Sequence, residues 1–121
     1  MSTITGTTPD VSTLVQGIEQ RDTAAVAAWY AEDATFTSVD RDHPPSNPQV
    51  FIGAAAITEQ LTEVCSRDMT HEVRDLVVTP DALAFTEYCT YPDGTKVLCA
   101  TVASLRDGKI IRQIALQTWD G

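Results

Sequence analysis

The strongest constraint on the fold is a regular alternation of residues through the C-terminal half of the chain. Segments rich in β-branched and aromatic residues predict strands at about 69–79, 82–91, 96–105 and 109–119. Between them stand the turn sequences "TPD", "PDG" and "RDG", which favour hairpins. Because the alternation stays in phase across the last three segments, the chain is predicted to end in an antiparallel meander.

The turns also predict how neighbouring strands pair. We interpret "YPDGT" and "LRDGK" as three-residue hairpin loops with glycine in the left-handed position. This register places residues opposite one another as follows: Glu87 with Cys99, Thr101 with Gln113, and Val97 with Gln117. The apolar phase changes within "EVRDLVV", which predicts a β-bulge near Arg74.

Both faces of this predicted sheet are largely apolar. One face carries Phe85, Cys89 and Tyr91, and the other carries Leu98, Val102, Ile114 and Leu116. Neither face can stay in water at that composition. We therefore expect helices to cover one face and a second copy of the chain to cover the other, which predicts a homodimer through the outer sheet face.

The N-terminal half predicts three helices. Apolar spacing of i, i+3, i+4, i+7 begins at Val11. A second helix is predicted over 23–33, where Asp22 can cap its start. A short strand follows at 34–39, and a third helix begins after Gly53. The polar, threonine-rich residues 1–8 predict a flexible tail, which leaves 9–121 as a single domain.

Charge and cysteine usage limit the partners. The chain has 121 residues, one domain by length, with 8 basic against 17 acidic side chains and a net charge of −9. No basic cluster is present to neutralise phosphate, so neither nucleic acid nor an anionic membrane is an expected partner. No secretory signal or membrane-spanning run is visible, and three cysteines suggest reduced thiols, so a cytoplasmic location is expected. The cysteines and the two histidines lack metal-site spacing, and no metal is expected.

The order of elements resembles a known family. "YAEDATF", then "FIGAAAI" opening a helix, then a meander ending in "DGKIIRQIALQTWD" is similar to the nuclear transport factor 2-like superfamily. Within it, the chain most resembles the SnoaL-like polyketide cyclases and the ketosteroid isomerases. The resemblance implies an α+β fold of the cystatin-like roll type, a cone-shaped, bent antiparallel sheet wrapped around three helices. It also implies an apolar small-molecule pocket inside the cone and no cofactor.

The resemblance denies one specific activity. Ketosteroid isomerases use a tyrosine, an aspartic acid and an aspartate base. The corresponding positions here hold Leu14, Ala103 or a neighbour of it, and Ser38. None of these can supply the hydrogen-bond pair or the base, so steroid isomerisation is not expected. The epoxide hydrolases of this fold need an inward arginine, and Arg112 falls on the outer face.

The resemblance also implies that the strand face carrying Phe85, Glu87 and Cys89 points into the cone. A carboxylate is unusual in such a position. Glu87 is either a general acid/base or substrate anchor, or a structural carboxylate held by Gln113, Thr101 or a buried water. His71, predicted opposite Cys89, and Asp40, in the proline-rich loop, are the other candidate catalytic residues. The expected pocket-lining residues are Phe85, Cys89, Tyr91, Cys99, Thr101, Gln113, Gln117, Trp29 and Ser38.

Three functions remain open. The first is acid/base catalysis on a small apolar molecule, of the cyclase, isomerase or dehydratase type. The second is a ligand-binding module without turnover, and the third is a dimeric adaptor that binds a protein. Glu87 in a closed pocket favours the first, Glu87 held by Gln113 favours the second, and a wide uncovered apolar sheet face favours the third.

Overall fold

A computed structural model of the chain describes residues 7–120. Its elements in chain order are α1 (Ser12–Glu19), α2 (Thr23–Ala27), β1 (Tyr30–Val39), β2 (Gln49–Ile52), α3 (Ala54–Cys65), β3 (Thr70–Thr79), β4 (Ala82–Thr90), β5 (Lys96–Arg106) and β6 (Lys109–Trp119). The tail predicted for residues 1–8 falls mostly outside the described residues. Within the described part, no helix is long and apolar enough to cross a membrane.

The six strands form one curved sheet in the order β2-β1-β6-β5-β4-β3. The pairing of β1 with β6 is parallel, and every other pairing is antiparallel. The α+β class, the three helices and the C-terminal meander are therefore confirmed. A bulge interrupts β3 between Arg74 and Val77, where Asp75 has a φ of 56°, close to the predicted position.

The helices cover the inner face of the sheet and form the main core with it. The largest fully buried side chains are Ile57 from α3, Leu83 from β4 and Ile110 from β6. Leu14 from α1 and Val26 from α2 pack into the same cluster. Burial of this apolar surface fixes the helices against one face, and the other face keeps its exposed valines and leucines.

The second helix is shorter than predicted. It ends at Ala27, and residues from Tyr30 onward belong to β1 instead of continuing the helix to residue 33. The backbone N–H of Ile110 donates to the carbonyl of Trp29 at 2.7 Å, which draws this segment beside β6. Sheet pairing thus overrides the helical propensity of the alanine-rich segment.

The β5–β6 register differs from the prediction by two residues. Asp107 and Gly108 both have positive φ, so the turn is a two-residue hairpin loop rather than a three-residue one. A register shift follows between Ser104 and Leu105. The observed pairs are Thr101 with Ala115, Ala103 with Gln113, Cys99 with Gln117 and Val97 with Trp119. Because the shift is two residues, Gln113 and Gln117 still point to the inner face of the sheet. The predicted pairing of Glu87 with Cys99 across β4 and β5 is confirmed.

Candidate functional site

A cavity of about 590 Å³ lies between the inner face of the sheet and the helices. Apolar side chains line much of it, among them Leu14, Val26, Leu83 and Phe85, which are all buried. Its size falls in the range of small-molecule sites, which combine an apolar lining with a few placed polar groups. The polar groups here come from β1, β3, β4, β5 and β6.

The central polar group is a contact between His71 and Glu87. Nδ1 of His71 lies 3.1 Å from Oε1 of Glu87, and only 6% and 17% of the two side chains are exposed. His71 sits directly opposite Cys89 in the β3–β4 ladder, which places it diagonally from Glu87 on the inner face. The partner of Glu87 is therefore His71, and neither Gln113 nor Thr101 takes that place.

The thiol of Cys89 joins this group. Its Sγ lies 3.3 Å from Nδ1 of His71. Burial, with the nearby charge of Glu87, raises the pKa of the Cys89 thiol to about 12. The pKa of Cys99 is also raised to about 12, by burial first and then by the charge of Glu87. Both thiols are consequently protonated at neutral pH and are poor nucleophiles there.

A second polar pair lies in the same cavity. The hydroxyl of Tyr30 donates to Oε1 of Gln113, and both side chains are buried. Burial raises the pKa of Tyr30, and the charge of Glu87 adds to this, while the hydrogen bond with Gln113 opposes it. Because the amide oxygen is already engaged, the Gln113 –NH₂ group remains as a donor toward the cavity.

Asp40 lies at the open end of the cavity, beside the exposed Arg41 and Asp42. Its Oδ1 is 2.9 Å from Nδ1 of His43. Burial opposes the charged form of Asp40, but the hydrogen bonds from His43 and from the backbone of Asp42 prevail and lower its pKa. Asp40 is therefore an ionised, paired carboxylate at the rim, separate from the His71–Glu87 contact.

Most residues expected to line the pocket do line this cavity: Phe85, Cys89, Tyr91, Cys99, Thr101, Gln113, Gln117 and Ser38. The expectation for Trp29 was wrong. Its Nε1 donates to Oγ1 of Thr13 at 3.2 Å, its ring packs against the main core, and it is not among the cavity residues. The early end of α2 explains this, because the chain has already turned toward β1 at this point.

Sequence reasoning missed two features of the cavity. The first is the Tyr30 hydroxyl, which could have been identified because a buried tyrosine hydroxyl requires a hydrogen-bond partner. At the rim, the guanidinium of Arg41 lies 4.4 Å above the ring of Trp119, which stacks on Tyr91. This stack joins the proline-rich loop to the end of β6, a contact between segments far apart in sequence.

Residues 11–113 match the SnoaL-like domain family. No curated protein sequence matches the chain significantly.

Solved structures share the fold at low sequence identity. A protein of unknown function from Mesorhizobium loti, described as NTF2-like, has a TM-score of 0.73 at 16% identity, covering 89% of this chain and 85% of its own. A candidate ketosteroid isomerase from Kribbella flavida has a TM-score of 0.71 at 18% identity, covering 90% and 73%. IdmH from Streptomyces antibioticus, a candidate polyketide cyclase, has a TM-score of 0.64 at 20% identity, covering 88% of each chain. These likenesses confirm the nuclear transport factor 2-like fold.

Proposed function

The chain belongs to the SnoaL-like domain family, and on that premise we propose that it is a cofactor-independent acid/base catalyst. Its substrate would be a small, largely apolar organic molecule, and the reaction would be of the cyclase, isomerase or dehydratase type. The apolar cavity supports the substrate class, and the polar groups within it support the reaction type.

The observation that carries the proposal is the His71–Glu87 contact. A separation of 3.1 Å between an imidazole nitrogen and a carboxylate oxygen requires a proton between them, carried by one group or the other. Such a pair can accept a proton from a substrate and return it at another atom. We assign Glu87 as the group that exchanges the proton with the substrate, because its side chain is the more exposed of the two, and His71 as its partner.

Gln113 supplies the second requirement of this chemistry. When a proton leaves the carbon beside a carbonyl, negative charge develops on the carbonyl oxygen. The –NH₂ group of Gln113, whose amide oxygen is held by the Tyr30 hydroxyl, would donate to an oxygen of that kind. The interior thus offers a proton acceptor and a separate hydrogen-bond donor in one apolar space, and Cys89 and Cys99 stay neutral beside them.

A ligand-binding module without turnover is less well supported. A purely structural Glu87 would be held by Gln113 or Thr101, yet Gln113 is engaged by Tyr30 and Glu87 by His71. An imidazole–carboxylate pair offers two groups that can carry a transferred proton, whereas an amide–carboxylate pair offers only one. This difference favours catalysis.

Proton exchange tests the proposal without knowledge of the natural substrate. A panel of small apolar ketones, β-hydroxyketones and 1,3-diketones is incubated with the protein in D₂O, and NMR follows deuterium incorporation, elimination or ring closure. We expect at least one compound to react above the buffer rate. Glu87→Gln keeps the shape of the side chain but can neither accept nor release a proton in this range, so it should slow that reaction by about 100-fold or more.

The matched control is Glu72→Gln. Glu72 lies on β3 next to His71, is exposed, and pairs with Arg74 at 2.7 Å outside the cavity. The Glu72→Gln variant should catalyse the reaction at the rate of the unaltered protein. If Glu87→Gln reacts as fast as Glu72→Gln, Glu87 is not the acid/base group and the proposal fails.

A further inference from the structure

Three donor atoms of different chemistry converge at one point in the cavity. Nδ1 of His71 lies 3.1 Å from Oε1 of Glu87 and 3.3 Å from Sγ of Cys89. An imidazole nitrogen offers one in-plane position, either a hydrogen or a lone pair. It cannot donate to the carboxylate and accept from the thiol at the same time. Nδ1 of His71 can therefore satisfy only one of these two contacts by hydrogen bonding.

The sheet holds these groups in fixed positions. His71 and Cys89 are directly opposite in the antiparallel β3–β4 ladder, and Glu87 is two residues from Cys89 on the same strand and face. The three donor atoms all lie within 4.8 Å of one another. Because they project from paired strands and not from a loop, little conformational freedom would be lost when they bind one centre.

We propose that His71, Glu87 and Cys89 form a three-ligand site for a thiophilic divalent cation, with Zn²⁺ as the best fit. One thiolate, one imidazole and one carboxylate are the three ligand types that Zn²⁺ takes in proteins. All three residues line the cavity, so a bound ion would keep a fourth position open to a small molecule or water. Three protein ligands with an open position are typical of reactive zinc sites rather than structural ones.

Binding changes the protonation of the site. The Cys89 S–H bond breaks, the sulfur keeps the electron pair and donates it to the ion, and the proton leaves to solvent. The ion would take the lone pairs of Glu87 and His71 that the proposed proton transfer needs. The metal-bound and metal-free proteins are thus alternative states of the same residues. The inference does not rest on turnover, because binding can be measured with the metal alone.

Zinc and cobalt titrations test the inference on the full chain, reduced and freed of metal. Calorimetry with zinc chloride should give one ion per chain. Cobalt(II) chloride should produce a thiolate-to-cobalt charge-transfer band in the near ultraviolet, which reports sulfur coordination directly. Cys89→Ser should abolish that band and weaken zinc binding at least about tenfold, and His71→Gln should weaken it similarly.

Cys65→Ser is the matched control. Cys65 is a half-buried thiol on α3 that does not belong to the three-residue group, so its removal should leave the zinc stoichiometry and the cobalt band unchanged. Circular dichroism checks that each variant is folded. If a variant does not fold, the cobalt spectrum of the unaltered chain still tests the site. Absence of stoichiometric zinc binding, or a cobalt spectrum without a thiolate band, would overturn the inference while leaving the proton-transfer proposal in place. If the metal-free protein binds zinc as expected but catalyses no proton exchange, the proton-transfer proposal fails and the zinc site stands.

Discussion

At the scale of single residues, the Tyr30 hydroxyl matters because it engages a buried amide oxygen. Tyr30→Phe keeps the ring but leaves Oε1 of Gln113 without the donor that it has now. A buried acceptor deprived of its partner costs about 1–3 kcal/mol. We expect the free energy of unfolding in urea to fall by that amount. Tyr88→Phe, at an exposed position on the outer face, should change it by less than about 0.5 kcal/mol.

The buried thiols predict a loss of stability at alkaline pH. Cys89 and Cys99 have pKa values raised from 9.0 to about 12 in the folded protein, chiefly by burial. Between those pH values the unfolded chain releases the thiol protons and the folded protein keeps them, so a rise in pH favours unfolding. Each thiol should lower the free energy of unfolding by about 1.4 kcal/mol per pH unit in that window.

Urea unfolding at about pH 8 and pH 10 measures this effect. Cys89→Ser and Cys99→Ser should each remove part of the slope, because serine does not titrate in this range. An unaltered slope in both variants would show that the thiols are not its source.

Sequence alone could place most of the polar residues of the cavity but not their partners. Strand alternation and the resemblance place Glu87 inside, whereas the predicted bulge near Arg74 left the facing of His71 undecided until the β3–β4 pairing was known. Their contact is diagonal across two strands, and it depends on side-chain conformations that no spacing encodes. Tyr30 was missed for a related reason, since its partner Gln113 lies 83 residues away.

At the scale of secondary-structure elements, Asp22 stabilises the start of a helix that has only five residues. Its Oδ1 accepts from the backbone N–H of Ala25 at 3.2 Å, as the sequence predicted. Asp22→Ala removes this cap and should lower the free energy of unfolding by about 1 kcal/mol. Asp22→Asn, which retains a capping oxygen, should stay close to the unaltered protein in the same urea titration. Equal losses in the two variants would mean that charge, not capping, is responsible.

The two glycine turns show why the β4–β5 register was predicted correctly and the β5–β6 register was not. The "PDG" turn has the predicted three-residue form. Gly94 has a φ of 90°, and the backbone N–H of Tyr91 donates a hydrogen bond to the carbonyl of Thr95. The "RDG" turn contains the same two final residues but uses two in its loop, because aspartate also adopts positive φ there. Local sequence allows both geometries. The register of β6 must also fit its parallel pairing with β1, which lies far from the turn in sequence.

At the scale of the whole molecule, the outer face of the sheet carries a continuous uncharged row. Residues paired in register across all six strands form it: Val50, Thr37, Ile114, Val102, Ala84 and Val77. Val50, Val102 and Val77 are 50%, 60% and 61% exposed, and Leu98 and Leu116 extend the apolar area beside the row. No helix covers this face among the described residues, so the apolar surface remains available.

The occupant that we propose for this face is a second copy of the chain. Each chain carries a net charge of −9, so two copies repel at long range. The central row has no charged side chain, so two rows can meet without burying like charges, and each apolar Å² removed from water contributes about 25 cal/mol. A two-fold axis through the middle of the row would bring Val102 and Ile114 of both copies together.

Sedimentation velocity at micromolar concentration should therefore show a dimer. Val102→Lys places a charge in the centre of the row, where two copies would bury two ammonium groups without partners, and it should give a monomer with an unchanged circular dichroism spectrum. Val102→Ile keeps the position apolar and should remain dimeric. An unaltered chain that sediments as a monomer would contradict the dimer. The exposed row would then favour the adaptor function, in which a different protein covers the same face.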